Sequence, residues 1–329
     1  MWVIAKLVMV FILTLVLIVV VLFLSDKLGF GDEVNGSYDF DPRSIPQDLN
    51  AYLNEQEAQV PNLRQDLRKQ IIWAETPGEK QDLAIVYFHG FSGSNQEMQP
   101  VPQRVARALG ANLYLGRWTG HGRDGDSMGE ARGKDWLLDA AEGLEIGSRI
   151  GERVILMGTS FGGSMATIAA TDAEMSKKID AIVLTVPNFA LVNSASIILT
   201  WPGVRIWGPW VAGKYREFEP KNELHRKYWT PRYPNQATIS LGQITKFVQG
   251  RRYEDIAQPT LFLYSNEDTV VQPQAIREAI KRWGGPTEVE VIRPGDGIDV
   301  DGHVVTGDAL SPGSTEFVID RIIQWAKGL

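Results

Sequence analysis

The stretch LMGTSFGG, residues 156–163, sets Ser160 between glycines at the end of an apolar run. A serine in GxSxG is either a nucleophile on a sharp strand-to-helix turn or a small residue in a loop without chemistry. The first reading needs partners: a base to take the hydroxyl proton, a carboxylate to orient that base, and amide donors facing the oxygen of an attacked carbonyl. Where strand and helix alternate, the acid and then the histidine should follow the serine. Of four histidines, His225 and His303 do. His225, in KNELHRKYW, reads as an exposed helical position among charges. His303 ends the Gly- and Asp-rich loop DGIDVDGH and is the candidate base. In SNEDTVVQP, Asp268 is preferred to Glu267 as the orienting acid, its alternative being a helix cap ahead of Pro273. Upstream, HGFSGS at 89–94 offers the backbone N–H of Phe91 as an oxyanion donor, to be paired with that of Phe161. His89 reads as a structural residue of that loop.

These residues need strands to end on. Apolar runs of strand length occur at Gln70–Ala74, Ala84–Phe88, Asn112–Leu115, Val154–Met157, Ala181–Val186, Thr260–Tyr264 and Val289–Ile292. Helical spacing lies between or after them, at Val101–Leu109, Trp136–Ile150, Met165–Ala170, Pro273–Trp283 and Glu316–Trp325. Such alternation predicts an α/β fold, a mostly parallel sheet with helices on both faces. The segment Pro187–Arg252 breaks the rhythm. It has no comparable β run and holds four of the ten tryptophans, so it reads as a helical insertion over the carboxyl end of the sheet. Trp201, Trp207 and Trp210 are its candidate substrate-binding residues, the alternative being a structural subdomain with its own small core.

In their order and spacing, GTSFG, HGFSGS, RWTGHG (117–122), SNEDTVV and DGHVV make residues 70–329 resemble the α/β-hydrolase superfamily, and within it the capped serine aminopeptidase-like and monoacylglycerol-lipase-like group. The resemblance implies Ser160 as nucleophile, Asp268 as acid, His303 as base, the Phe91 and Phe161 amides as oxyanion hole, and residues 187–252 as cap. It implies a structural turn at His121 and no cofactor. Substrate identity does not carry over.

The first 25 residues carry one charge, Lys6, and Leu7–Leu24 has no charged residue, glycine or proline. Eighteen helical residues span about 27 Å, close to a hydrocarbon core, and no small-residue cleavage site follows. Residues 1–25 are therefore expected to be a single-pass membrane anchor, the alternative being a cleaved signal peptide. Lys6 and the amino terminus on one side, with Lys27 among Asp26, Asp32 and Glu33 on the other, favour an extracytoplasmic catalytic domain. Residues 26–69 read as a polar tether with a short helix near Pro46–Ala58, and 70–186 with 253–329 as the hydrolase core.

Net charge is −7, so a basic nucleic-acid footprint is not expected, and zero cysteines exclude disulfides and thiolate chemistry. DGIDVDG fails as a calcium loop, since its first ligand position would be Gly297 and its twelfth Asp308, and no metal site is expected. The expected function is a membrane-anchored serine hydrolase of carboxylic esters with apolar acyl groups. The alternatives are an amide or peptide hydrolase and a catalytically silent binding protein on the same fold.

Overall fold

A computed structural model describes residues 2–25 and 34–329. Asp26, Lys27, Asp32 and Glu33, on which the expected orientation partly rests, lie outside the described residues, as does the first stretch of the expected tether.

The chain begins with α1 (Trp2–Ser25), then α2 (Leu49–Ala58), β1 (Gln70–Ile72), β2 (Gln81–Phe88), α3 (Val101–Leu109), β3 (Asn112–Leu115), α4 (Gly133–Ile150), β4 (Gly151–Thr159) and α5 (Phe161–Ala170). After β5 (Ala181–Thr185) come α6 (Val204–Ala212), β6 (Tyr215–Glu217), α7 (Glu223–Tyr228), β7 (Arg232–Pro234) and α8 (Gln236–Gln249). The fold closes with β8 (Thr260–Tyr264), α9 (Pro273–Arg282), β9 (Thr287–Val291) and α10 (Pro312–Ala326).

The seven expected strands form one sheet in the order β1-β3-β2-β4-β5-β8-β9, parallel except for β1, which runs antiparallel to β3. Every residue of β5 and β8, and the carboxyl halves of β2 and β4, are buried. Consecutive buried residues point to opposite sides of a strand, so both faces are covered. α3 packs on α10, and α4 on α5. The expected elements recur within a few residues at each end, helices mostly starting earlier. Proline supplies the first helical position of α9 and α10, where its missing N–H costs nothing.

Residues 34–69 are not a free tether. Ile45, Leu49, Leu53 and Leu67 are buried, and all but Leu67 join the main core. Glu57 of α2 makes a paired contact with Arg117, at 2.6 and 2.9 Å, both side chains nearly fully buried. Removing either partner of such a pair costs about 3–5 kcal/mol because it strands the other charge. The sequence concealed this because the few apolar anchors lie scattered among Asp, Asn and Gln, with no sustained period.

The insertion between β5 and β8 is mostly helical as expected, with a two-stranded ribbon, β6–β7, that its short polar strands did not announce. Helix α1 is long and apolar enough to cross a membrane, with a mean hydropathy of 3.5 over Trp2–Leu24 and none of it buried. Its end lies against the insertion: a Cβ placed on Gly203 would stand 2.5 Å from Leu22 Cδ2.

Candidate active site

Ser160 is the single residue between β4 and α5, with φ 51° and ψ −113°. This conformation costs a non-glycine residue about 1–3 kcal/mol, and packing must hold it. The packing is close backbone approach. A Cβ on Gly162 would stand 2.0 Å from Phe88 O, and one on Gly158 would stand 2.5 Å from Gly162 O. Hence these positions are glycine. The Ser160 N–H donates to Thr185 O at 2.9 Å, and its carbonyl accepts from the N–H of Asn188 at 3.0 Å, so β5 and the start of the insertion fix the turn.

His303 Nε2 lies 3.0 Å from Ser160 Oγ, and His303 Nδ1 lies 2.9 Å from Asp268 Oδ2. The Asp268 side chain is fully buried, while that of His303 keeps 16% exposure. Asp268 Oδ1 accepts the N–H groups of Val270 and Val271 at 2.8 and 2.9 Å. Its two oxygens thus combine the readings weighed from sequence: one caps the local turn, the other meets the imidazole. The amides of Phe91 and Phe161 donate to no acceptor among the described residues, and Phe161 opens α5, where helix amides lack internal partners.

The loop at 89–94 is braced by two buried histidines. His89 Nδ1–H donates to Gly90 O at 2.8 Å, and its Nε2 accepts from Trp118 N–H at 3.3 Å. His121 Nε2 accepts from Ser92 N–H at 3.2 Å. Burial pushes His121 down to about 4 and His89 well below the ordinary histidine value. Both imidazoles therefore stay neutral and hydrogen-bonded, as structural residues do.

Above the serine lies a cavity of about 760 Å³ lined by Gly90, Phe91, Ser160 and His303 from the core and by much of the insertion. Leu191, Leu199, Val204, Trp207, Ile239 and Leu241 give its insertion side an apolar wall. Of the three candidate tryptophans, only Trp207 lines it. Trp201 packs beside Trp207 at 6.3 Å between ring centroids and is 53% exposed, and Trp210 is 89% exposed. Counting aromatics in the sequence did not reveal which way each would face.

His225 is likewise not the exposed helical residue expected. It is 7% exposed, stacked on Phe218 at 5.3 Å and edge-on to Trp229 at 4.8 Å. Its charged neighbours in sequence face outward while it faces inward. Nearby, Lys221 pairs with Asp299 and, at 2.6 Å, with Asp301. Burial would raise the Asp299 carboxyl, but hydrogen bonds from Lys221 and the Val304 amide hold it below its usual value. These contacts join the insertion to the loop carrying His303.

A model of the α/β-hydrolase family matches residues 85–309, more than half of the chain. The chain belongs to the α/β-hydrolase family. This α/β hydrolase is 24% identical over 249 residues to a thermostable monoacylglycerol lipase of Bacillus sp. (strain H-257), covering 75% of this chain and 91% of the relative. Among solved structures, it is similar to one described for the metagenome-derived lipolytic enzymes LipS and LipT, with TM-score 0.63, 17% identity and coverage of 81% and 100% of the two chains. It is also similar to the monoacylglycerol lipase of Paleococcus ferrophilus, with TM-score 0.57, 15% identity and coverage of 79% and 97%. These structural likenesses concern the fold.

Glu97, which no motif in the sequence singles out, is buried beside Gly90 and lines the same cavity. Its only signal was a carboxylate seven residues after a glycine of the HGFSGS loop.

Proposed function

We propose that this α/β hydrolase is a membrane-anchored serine hydrolase that cleaves carboxylic esters with apolar acyl groups. The observation carrying the proposal is the hydrogen-bonded relay of Ser160, His303 and Asp268 beneath an apolar wall. Ser160 Oγ attacks the ester carbonyl while its proton passes to His303 Nε2. The carbonyl oxygen becomes an anion held by the amides of Phe91 and Phe161. Collapse breaks the C–O bond, His303 returns the proton to the departing alcohol, and an acyl-enzyme remains. Water then attacks, giving its proton to His303, and the acid leaves as Ser160 is restored. Asp268 holds Nδ1 protonated so that Nε2 is free to accept.

In this reading the insertion, residues 187–252, is the cap over the core of 70–186 and 253–329, and Trp207 with its aliphatic neighbours receives the acyl chain. Helix α1 is the anchor, with the catalytic domain on the extracytoplasmic side. The exposed Trp201, Ile206, Trp210 and Val211 stand on the insertion, where Leu22 approaches Gly203, which suits a domain held close to a lipid surface.

The full chain in detergent should hydrolyse p-nitrophenyl esters of graded acyl length, kcat/KM rising about fourfold per buried methylene until the apolar wall is filled. Aminoacyl anilides run in parallel should be cleaved far more slowly. A preference for the anilides would replace the esterase reading with an amide hydrolase, and inertness toward both classes would leave a binding protein.

A further inference from the structure

Glu97 is a buried carboxyl that the acyl-transfer steps do not use. It is 3% exposed. Its Oε1 accepts the Gly90 N–H at 2.5 Å and the Tyr87 hydroxyl at 2.9 Å. The oxyanion loop is shaped around the second oxygen: a Cβ on Gly93 would stand 1.8 Å from Glu97 Oε2. A Cβ on Gly90 would stand 3.1 Å from Oε2 and 3.5 Å from Ser160 Cβ, so carboxyl and nucleophile flank one small gap. Oε2 accepts no hydrogen bond from any of the described residues, and the residue lines the cavity with Ser160 and His303.

The insertion supplies an aliphatic wall suited to an acyl chain together with polar groups such as Arg216, Lys221 and His225, whereas Glu97 lies on the core side, next to Ser160. Glu97 also borders the loop that carries the base. A Cβ on Gly307 would stand 3.1 Å from Glu97 O, and the Asp308 N–H donates to Gln99 O at 2.9 Å. His303 returns its proton to the leaving alcohol, so this is the side from which the alcohol departs. Building on the ester-hydrolase reading, we propose that Glu97 Oε2 binds a free hydroxyl on the alcohol half of the ester and makes Glu97 a specificity-determining residue for hydroxylated alcohols.

A hydroxyl suits this carboxyl better than an ammonium. Burial, opposed by the bonds from Gly90 and Tyr87, raises Glu97 to about 7, so both its forms are present near neutral pH. A hydroxyl both donates and accepts and is satisfied by either form, whereas an ammonium is held well only by the anion. A neutral hydroxyl also sheds water into an apolar cavity at lower cost than a charge does.

Three decanoate esters test the proposal on the full-length protein and on E97L and E97Q: 2-hydroxyethyl, n-propyl and 2-aminoethyl. The first two differ by a hydroxyl in place of a methyl. The wild type should favour 2-hydroxyethyl over n-propyl by about tenfold or more in kcat/KM, and E97L should lose most of that ratio, chiefly through KM for the hydroxylated ester. E97Q keeps a carbonyl for Gly90 and Tyr87 but offers only a donor at the second position, and its ratio should fall at least about threefold. It decides the matter if E97L does not fold. A residue that only braced the loop would slow both esters alike and leave the ratio unchanged, which would overturn the proposal. So would a larger Glu97-dependent gain for the 2-aminoethyl ester. Turnover of n-propyl decanoate with an unaltered ratio sinks the subsite alone, and absence of turnover on every ester removes the ester-hydrolase reading with it.

Discussion

Replacing Ser160 with alanine should lower kcat on a p-nitrophenyl ester by about 10⁶-fold while leaving the thermal melt within about 1 kcal/mol of the wild type. The hydroxyl is the group that forms the acyl bond, and the hydroxyl of the adjacent Thr159 is instead engaged with Tyr87. The fold has little stake in it. The conformation at φ 51° is imposed by the backbone contacts of Gly158 and Gly162, which alanine leaves in place. Among the described residues the side chain's one polar contact is with His303. A variant that retains more than a hundredth of the activity, or that loses activity together with its melting transition, would contradict this division between chemistry and stability.

Asp268→Asn should have the next largest effect, a fall in kcat of about 10⁴-fold at neutral pH. Asp268 Oδ2 accepts a proton from His303 Nδ1, which fixes the tautomer whose Nε2 can receive the serine proton. An asparagine presents an amide NH₂ there and favours the opposite tautomer, with Nε2 protonated and useless as a base. The carboxylate's other role survives, because the asparagine carbonyl can still accept the N–H groups of Val270 and Val271. Steady-state rates beside a thermal melt separate the two roles. A fall of less than tenfold would mean that the aspartate mainly caps its turn.

The fold was legible because its information is local. Runs such as Ala181–Leu184 and Leu261–Tyr264 are apolar at consecutive positions and too short for a buried helix, which suits a strand covered on both faces, and amphipathic spacing fills the gaps between them. Ser160, Asp268 and His303 were legible because each follows a strand in a loop marked by small or acidic residues, and the structure brings the three into hydrogen-bonding range. What stayed hidden depends on facing. Trp207 and Trp210 differ by three positions in one helix, yet one lines the cavity and the other is almost wholly exposed. His225 keeps charged company in sequence and aromatic company in space. Glu97 is a charged residue among polar ones, and its burial comes from a loop that two glycines let close around it. Ile45, Leu49 and Leu53 are too sparse to signal a packed segment until the core they meet is assembled.

The central claim is that Ser160 is the nucleophile. It is tested most directly by treating the full-length protein with a fluorophosphonate, digesting it, and locating the adduct by mass spectrometry. One adduct per chain on the peptide containing GTSFGG, assigned to Ser160 and blocked by prior incubation with an ester substrate, is the result expected. An adduct on another residue, or none in a sample that hydrolyses esters, would contradict it.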